Sequence, residues 1–299
     1  MLNQIVLKTL PIVPKSIVFL FAKKYIAGLK LENAINETKK LMEIGGSSTI
    51  DVLGEFVTTR ERAVHETDMC MEVLDAISEH KLSTYSSIKP TSLGLGIDFD
   101  FGYENISKLV AKAKSLGIFV RLDMENSPYT TMTLDLYKKL RDAGFDNVGI
   151  VIQSYMRRSM DDVRALIDYK PNIRLCKGIY VESEKIAYKG YEEVRQNFRD
   201  LLDLMLDNGL YVGIATHDEP LIEYGLEAVK KRNLKKEDYE FQMLLGVREK
   251  RRDEILQMGH NLRVYVPFGE DWYGYSTRRL KENPAMVGHI VKSILGLEK

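Results

Sequence analysis

Near its C-terminus the chain carries Tyr275, Arg278, Arg279 and Glu282 within the run Tyr275-Ser276-Thr277-Arg278-Arg279-Leu280-Lys281-Glu282. On a helix these four follow i, i+3, i+4, i+7 spacing and share one face. Two guanidiniums side by side suit a small carboxylate, because the planar fork of donors matches the two carboxylate oxygens. An aromatic ring next to them can size the body of a ligand, and a glutamate one turn on can hold an arginine in place. The chemistry this suggests is capture of a small carboxylate, provided that other elements build a pocket under the face.

A second set of polar and ionisable residues stands at the ends of short apolar runs: Lys89, Asp123, Gln153, Arg174 with Lys177 and Gly178, Thr216 with His217 and Asp218, and Tyr265. Buried charge is costly unless paired, so such a rim implies a ligand or an ion-pair network. Each member also has a plainer reading. Lys89 and Asp123 would form an inter-strand salt bridge. Arg174 and Lys177, three apart on a strand, project to opposite faces. Cys176 reads as a packed small apolar group rather than a nucleophile. His217 could ligate a metal, but no second histidine or cysteine stands at a strand end, so no metal site is expected. Lys177 could form a Schiff base, as barrel aldolases do, or hold a cofactor phosphate as a cation. Gly178 beside it allows close backbone approach, which suits the phosphate reading. The sequence has no serine–histidine–acid arrangement at strand ends and no phosphate-binding glycine loop.

The elements that must position these groups alternate regularly. Strand candidates are Thr49–Gly54, Tyr85–Lys89, Phe119–Met124, Val148–Gln153, Ile173–Lys177, Tyr211–Thr216, Glu240–Leu245 and Leu262–Pro267. Each is nearly continuously apolar and bounded by turn formers, as expected of strands covered on both faces. Between them lie stretches such as Thr130–Ala143 and Tyr191–Asn208 with helical apolar spacing, closed by Gly117, Gly144, Gly209 and Gly259. Eight strands, each followed by a helix, is the α/β pattern of a closed (β/α)8 barrel, whose functional groups gather at the C-terminal strand ends. We expect residues 46–299 to form that barrel and residues 1–45 a helical extension in front of it.

Composition narrows the function. With 43 basic and 43 acidic residues the formal net charge is zero, so no overall field favours nucleic acid. Two cysteines are too few for a disulfide framework and agree with a reducing, cytoplasmic setting. No apolar run has the length of a membrane span. Residues 1–30 carry five lysines and no acidic residue among apolar side chains. That segment reads first as helices packed on the barrel, and second as a surface for anionic lipid headgroups.

Five segments carry a resemblance to a known family: Val120-Arg121-Leu122-Asp123-Met124-Glu125, Arg174-Leu175-Cys176-Lys177-Gly178-Ile179-Tyr180, Ala215-Thr216-His217-Asp218, Phe241-Gln242-Met243-Leu244 and Tyr275-Ser276-Thr277-Arg278-Arg279. In order and spacing they resemble proline dehydrogenase, the flavin-dependent enzyme of proline catabolism, in its monofunctional bacterial form. The resemblance implies a distorted barrel with its last helix over the mouth, and oxidation of L-proline to Δ1-pyrroline-5-carboxylate. It implies that Arg278 and Arg279 clamp the substrate carboxylate and that Tyr275 packs on the pyrrolidine ring. Lys89, Asp123, Leu244 and Tyr265 would line the rest of the pocket, with Lys89 and Asp123 as a pair. FAD would be held by Met124, Gln153, Arg174, Lys177, Gly178, Ile179, Thr216 and His217, with Glu282 near the cofactor and ion-paired to Arg278 as a gate. Arg174 would stabilise negative charge on the reduced flavin, and Asp123 would either accept a proton or orient Lys89. A membrane quinone would take the electrons, which agrees with contact between the lysine-bearing N-terminus and the inner face of the cell membrane. The chain departs from the family pattern at Cys176, Ile179 and Val181. Hydroxyproline as substrate, a Schiff-base aldolase on Lys177 and a non-catalytic anion-binding barrel are the competing readings. The bulk of Tyr275 favours proline over its 4-hydroxylated form.

Overall fold

Every apolar run forms a parallel strand because helices on the outside and packed side chains within cover both its faces. In the computed structural model, which describes residues 15–282 (without the side chains of 16, 17, 21 and 279–282), the strands are β1 (Ser47–Val52), β2 (Thr84–Ile88), β3 (Val120–Leu122), β4 (Val148–Gln153), β5 (Asn172–Cys176), β6 (Tyr211–Ala215), β7 (Tyr239–Leu244) and β8 (Leu262–Phe268). They pair in sequence order and close β8 onto β1, giving an eight-stranded parallel barrel. All eight lie within two residues of the expected bounds.

The helices in chain order are α1 (Lys15–Ala22), α2 (Leu31–Glu43), α3 (Arg60–Glu79), α4 (Phe99–Ser115), α5 (Ser127–Asp142), α6 (Ser159–Arg164), α7 (Tyr191–Asp207), α8 (Glu219–Lys231), α9 (Glu249–Gln257) and α10 (Trp272–Glu282). Helix α3 starts where Thr59 accepts the Arg62 backbone N–H, and α4 where Asp98 accepts that of Phe101. Helix α2 packs on β8 and β1 through Ala34, Ile35, Thr38 and Leu41. The Thr38 hydroxyl lies 2.8 Å from that of Ser48 on β1.

Helix α10 takes a different course. It turns over the C-terminal end of the barrel and packs on α1, with the Phe19 and Trp272 rings 4.9 Å apart. Tyr275 is buried there with Val18, Tyr25, Ile26 and Leu53. So α2, from the N-terminal segment, covers the outer face at the β8–β1 seam, and α10 is left to roof the mouth.

The opposite end of the barrel is closed by a polar plug that the sequence reading did not anticipate. Arg263 Nε donates to both Glu240 oxygens at 2.9 and 3.0 Å, and its guanidinium stacks 3.4 Å from the Tyr85 ring centroid. Arg121, almost fully buried, donates to the Ile150 carbonyl at 2.9 Å and to Asn172. Burial, with the nearby Arg174 adding to the effect, pushes Arg121 down to about 10. These groups stand near the N-terminal strand ends, where they satisfy one another.

Candidate active site

Asp123, one residue past β3, is the centre of the polar groups at the barrel mouth. Its Oδ1 accepts the Ser87 hydroxyl at 2.6 Å and lies 3.1 Å from an Arg174 terminal nitrogen; its Oδ2 accepts the Tyr265 hydroxyl at 2.8 Å. Strands β2, β5 and β8 thus aim one side chain each at a carboxylate carried by β3. Arg174 also lies over the Tyr265 ring, 5.2 Å from its centroid. Burial works against the charge on Arg174, but Asp123 and Tyr265 hold its pKa above the usual value.

Lys89 has a different partner from the expected one. Its ammonium sits 2.7 Å from both oxygens of Asp51, a fully buried residue of β1. The register explains this: Asp51 stands opposite Ser87, so a side chain two residues beyond Ser87, just past β2, reaches back across to β1. Asp123, meanwhile, is taken by Arg174. Burial pushes the Asp51 carboxyl up to about 6 against the pull of Lys89. The Lys89 ammonium is itself held above its ordinary value, because Asp51 and Asp123 outweigh the cost of burying it.

The roof closes through an ion pair. Arg278 on α10 lies 2.6 Å from Glu55 Oε1, on the loop after β1, and the Tyr180 hydroxyl lies 3.4 Å from Glu55 Oε2. Glu282 was expected to hold Arg278; its side chain, like that of Arg279, lies outside the described residues. The carboxylate found on Arg278 belongs to Glu55. Asp51 and Glu55 were missed because the strand-end reading began at the second strand. A charge inside the apolar run Thr49–Gly54 was the signal available for the first of them.

The residues expected around FAD line β4 to β6. Gln153 donates to the Met124 carbonyl at 3.2 Å, tying β4 to the end of β3. Thr216 accepts the Asp218 backbone N–H at 3.1 Å, and His217 Nε2 accepts that of Leu244 at 3.0 Å. Lys177 lies 3.1 Å from Asp218, which also takes a two-pronged contact from Arg195 at 2.7 and 2.9 Å. Burial would raise Asp218, but Arg195 and Lys177 hold it down at about 2. Gly178 has φ +103°, and a Cβ there would lie 2.2 Å from the Tyr155 ring, so only glycine leaves this backbone open. Arg174 Nε is buried with no hydrogen-bond partner among the described residues, a donor that a ligand could engage. A cationic wall, an open glycine backbone and a spare buried donor fit a flavin with its phosphates. Ile179 and Val181 are exposed beside it, Val181 almost completely.

Comparison with known proteins points to one family. The family model described as proline dehydrogenase matches residues 34–292. "Proline dehydrogenase 2" of Bacillus subtilis (strain 168) is 38% identical over 273 residues, covering 91% of this chain and 90% of the relative. "Proline dehydrogenase" of Deinococcus radiodurans is 36% identical over 278 residues, covering 92% and 90%. Among solved structures, proline utilization A from Bdellovibrio bacteriovorus, inactivated by N-propargylglycine, superposes with a TM-score of 0.81 at 26% identity. That match covers 88% of this chain and 32% of the longer polypeptide.

Proposed function

The chain belongs to the proline dehydrogenase family, and from that premise we propose that it oxidises L-proline to Δ1-pyrroline-5-carboxylate with FAD at the barrel mouth. The observation that carries this reading is the convergence of Arg174, Tyr265 and Ser87 on Asp123, directly under a helix that presents Arg278. The flavin, when bound, supplies the acceptor at N5 for the hydride leaving the ring carbon next to nitrogen.

The chain's own residues bind and orient. Arg278 and Arg279 hold the substrate carboxylate, which restricts the ring to one face of the pocket. Tyr275 and Leu244 bound the ring, and the buried Tyr275 leaves little room for a 4-hydroxyl. We read Asp123, contacted by three donors, as the orienting partner of Arg174. Arg174 places a fixed positive charge where negative charge develops on the acceptor. Met124, Gln153, Lys177, Gly178, Ile179, Thr216 and His217 form the wall that holds the cofactor. The pair Arg278–Glu55 serves as the gate: it opens to admit substrate and re-forms over the bound carboxylate, so that losing it weakens retention of the substrate.

The test is a visible spectrum. The protein as purified is expected to be yellow, to bleach on anaerobic addition of proline faster than with trans-4-hydroxyproline, and to regain colour with a soluble quinone. Colourless protein that FAD cannot reconstitute overturns the reading. Borohydride trapping of a substrate on Lys177 without a flavin spectrum would favour an aldolase instead.

The electron acceptor suggests where the protein works. No helix among the described residues is long and apolar enough to cross a membrane. Helix α1 and the turn after it expose Lys15, Lys23 and Lys24 together with Leu20 and Leu29, 61% and 43% exposed, beside the roof. Basic side chains near an anionic surface contribute about 1 kcal/mol each. We place this edge against the inner face of the membrane, close to a quinone. Replacing Lys23 and Lys24 by glutamate is expected to reduce co-sedimentation with phosphatidylserine-containing vesicles; unchanged co-sedimentation rejects the placement.

A further inference from the structure

Glu55 stands in the first loop at the barrel mouth, the connection from β1 to α3, where a half-buried carboxylate has no covalent reason to hold one position. Its two neighbours, however, are tied down. The Gly54 carbonyl accepts the Ser92 hydroxyl at 2.7 Å, and the Phe56 backbone N–H donates to the Thr91 hydroxyl at 2.9 Å. Phe56 has φ +57°, a left-handed conformation that is unfavourable for a bulky residue and persists only where surrounding contacts impose it. Thr91 and Ser92 are themselves buried, in the connection from β2 to α4. Thr91 donates both of its N–H and O–H groups to Glu125, the former at 3.0 Å. Glu125 is completely buried two residues past Asp123. Burial pushes its carboxyl up to about 7 against the Thr91 bonds and the nearby Lys89. A carboxylate kept in such a place is costly, and what it does here is accept from Thr91.

We propose that Glu125, Thr91 and Ser92 are positioning residues: they bracket Glu55 on both sides and so set the geometry in which it meets Arg278 on the roof helix. The proposal rests on the gate described above and deepens it, since it names what holds the fixed half of the gate. Its logic is mechanical. The hydroxyl of Thr91 passes the strained Phe56 amide to an immobile carboxylate just past β3, in the same segment that carries Asp123. The loop that closes the pocket and the residue at its centre therefore share one anchor. With the bracket removed, Phe56 can relax to negative φ, Glu55 swings with it, and Arg278 loses its resting partner.

The chain's one tryptophan, Trp272, opens α10 and reports on the roof without any need for turnover. Thr91→Val keeps the side-chain shape and deletes the hydroxyl; Ser92→Ala breaks the other bracket and leaves Glu125 untouched, which keeps the test usable if Thr91→Val does not fold. In the full-length flavin-loaded protein each is expected to raise KM for proline about 3–10-fold, the size of one lost hydrogen bond, with kcat little changed. Acrylamide quenching of Trp272 should rise alongside. Thr91→Ser, which restores the hydroxyl, should restore both. In a Glu55→Gln background neither substitution should add further, because both act through Glu55. Parental KM and quenching in both variants overturn the proposal, and so does a full repeat of the effect when Glu55 is already removed. If the parent protein oxidises no proline, the functional reading fails, while the quenching comparison still decides whether Thr91 and Ser92 act on the roof through Glu55.

Discussion

Replacing Lys89 by methionine is expected to lower the stability of the folded chain by about 3–5 kcal/mol, the usual cost of stripping one partner from a buried ion pair. The carboxylate left behind is that of Asp51, fully buried, with both oxygens 2.7 Å from the lysine nitrogen in the intact protein. Even with Lys89 in place, burial holds the Asp51 carboxyl at about 6, well above its ordinary 3.8. Without the ammonium it must rise further. A carboxyl whose folded-state pKa is raised is tolerated below its unfolded value and becomes destabilising as pH rises through the folded one. The deficit of Lys89→Met relative to the parent should therefore be largest near pH 8 and shrink toward pH 5, where Asp51 takes up a proton. Urea unfolding at the two values measures this. Adding Asp51→Asn should recover most of the loss at pH 8. An unchanged unfolding midpoint at pH 8 would show that the pair contributes nothing net.

Arg278→Met should raise KM for proline by about 30–150-fold, since a charged hydrogen-bonded contact to a carboxylate is worth about 2–3 kcal/mol. The variant removes one guanidinium of the clamp and also leaves Glu55, its partner at 2.6 Å, facing the pocket as an uncompensated negative charge. Both effects oppose the substrate carboxylate, so the loss should exceed that from Glu55→Gln, which weakens the gate but keeps both arginines of the clamp. Arg278→Lys keeps the charge but loses the two-pronged fork, and should recover only part of the affinity. Steady-state kinetics with varied proline separates KM from kcat, and a parental KM in Arg278→Met rejects the clamp.

The two experiments probe different kinds of information. The strands, the turns between them and the arginine-bearing face of α10 are local: they follow from apolar runs, glycine positions and helical spacing within short windows, and they were readable residue by residue. What Lys89 would pair with was not. Its side chain reaches several strand ends, and the choice of Asp51 over Asp123 depends on the β1–β2 register and on Arg174 arriving from β5 to occupy Asp123. Likewise no spacing rule pointed to Glu55 as a partner of Arg278, since 223 residues separate the two.

Local patterning established that this chain closes an eight-stranded barrel, that polar groups collect at the C-terminal rim, and that a double-arginine helix follows the last strand. It could do so because periodicity and turn chemistry act over a few residues at a time. Packing of distant segments selected which group meets which: Asp51 for Lys89, Arg174 for Asp123, Glu55 for Arg278, and Thr91 with Ser92 for the loop that carries Glu55. Those pairings arise when closure of the barrel brings the ends of distant strands within hydrogen-bond reach. Coulomb and desolvation energies then select among partners that no spacing rule could rank.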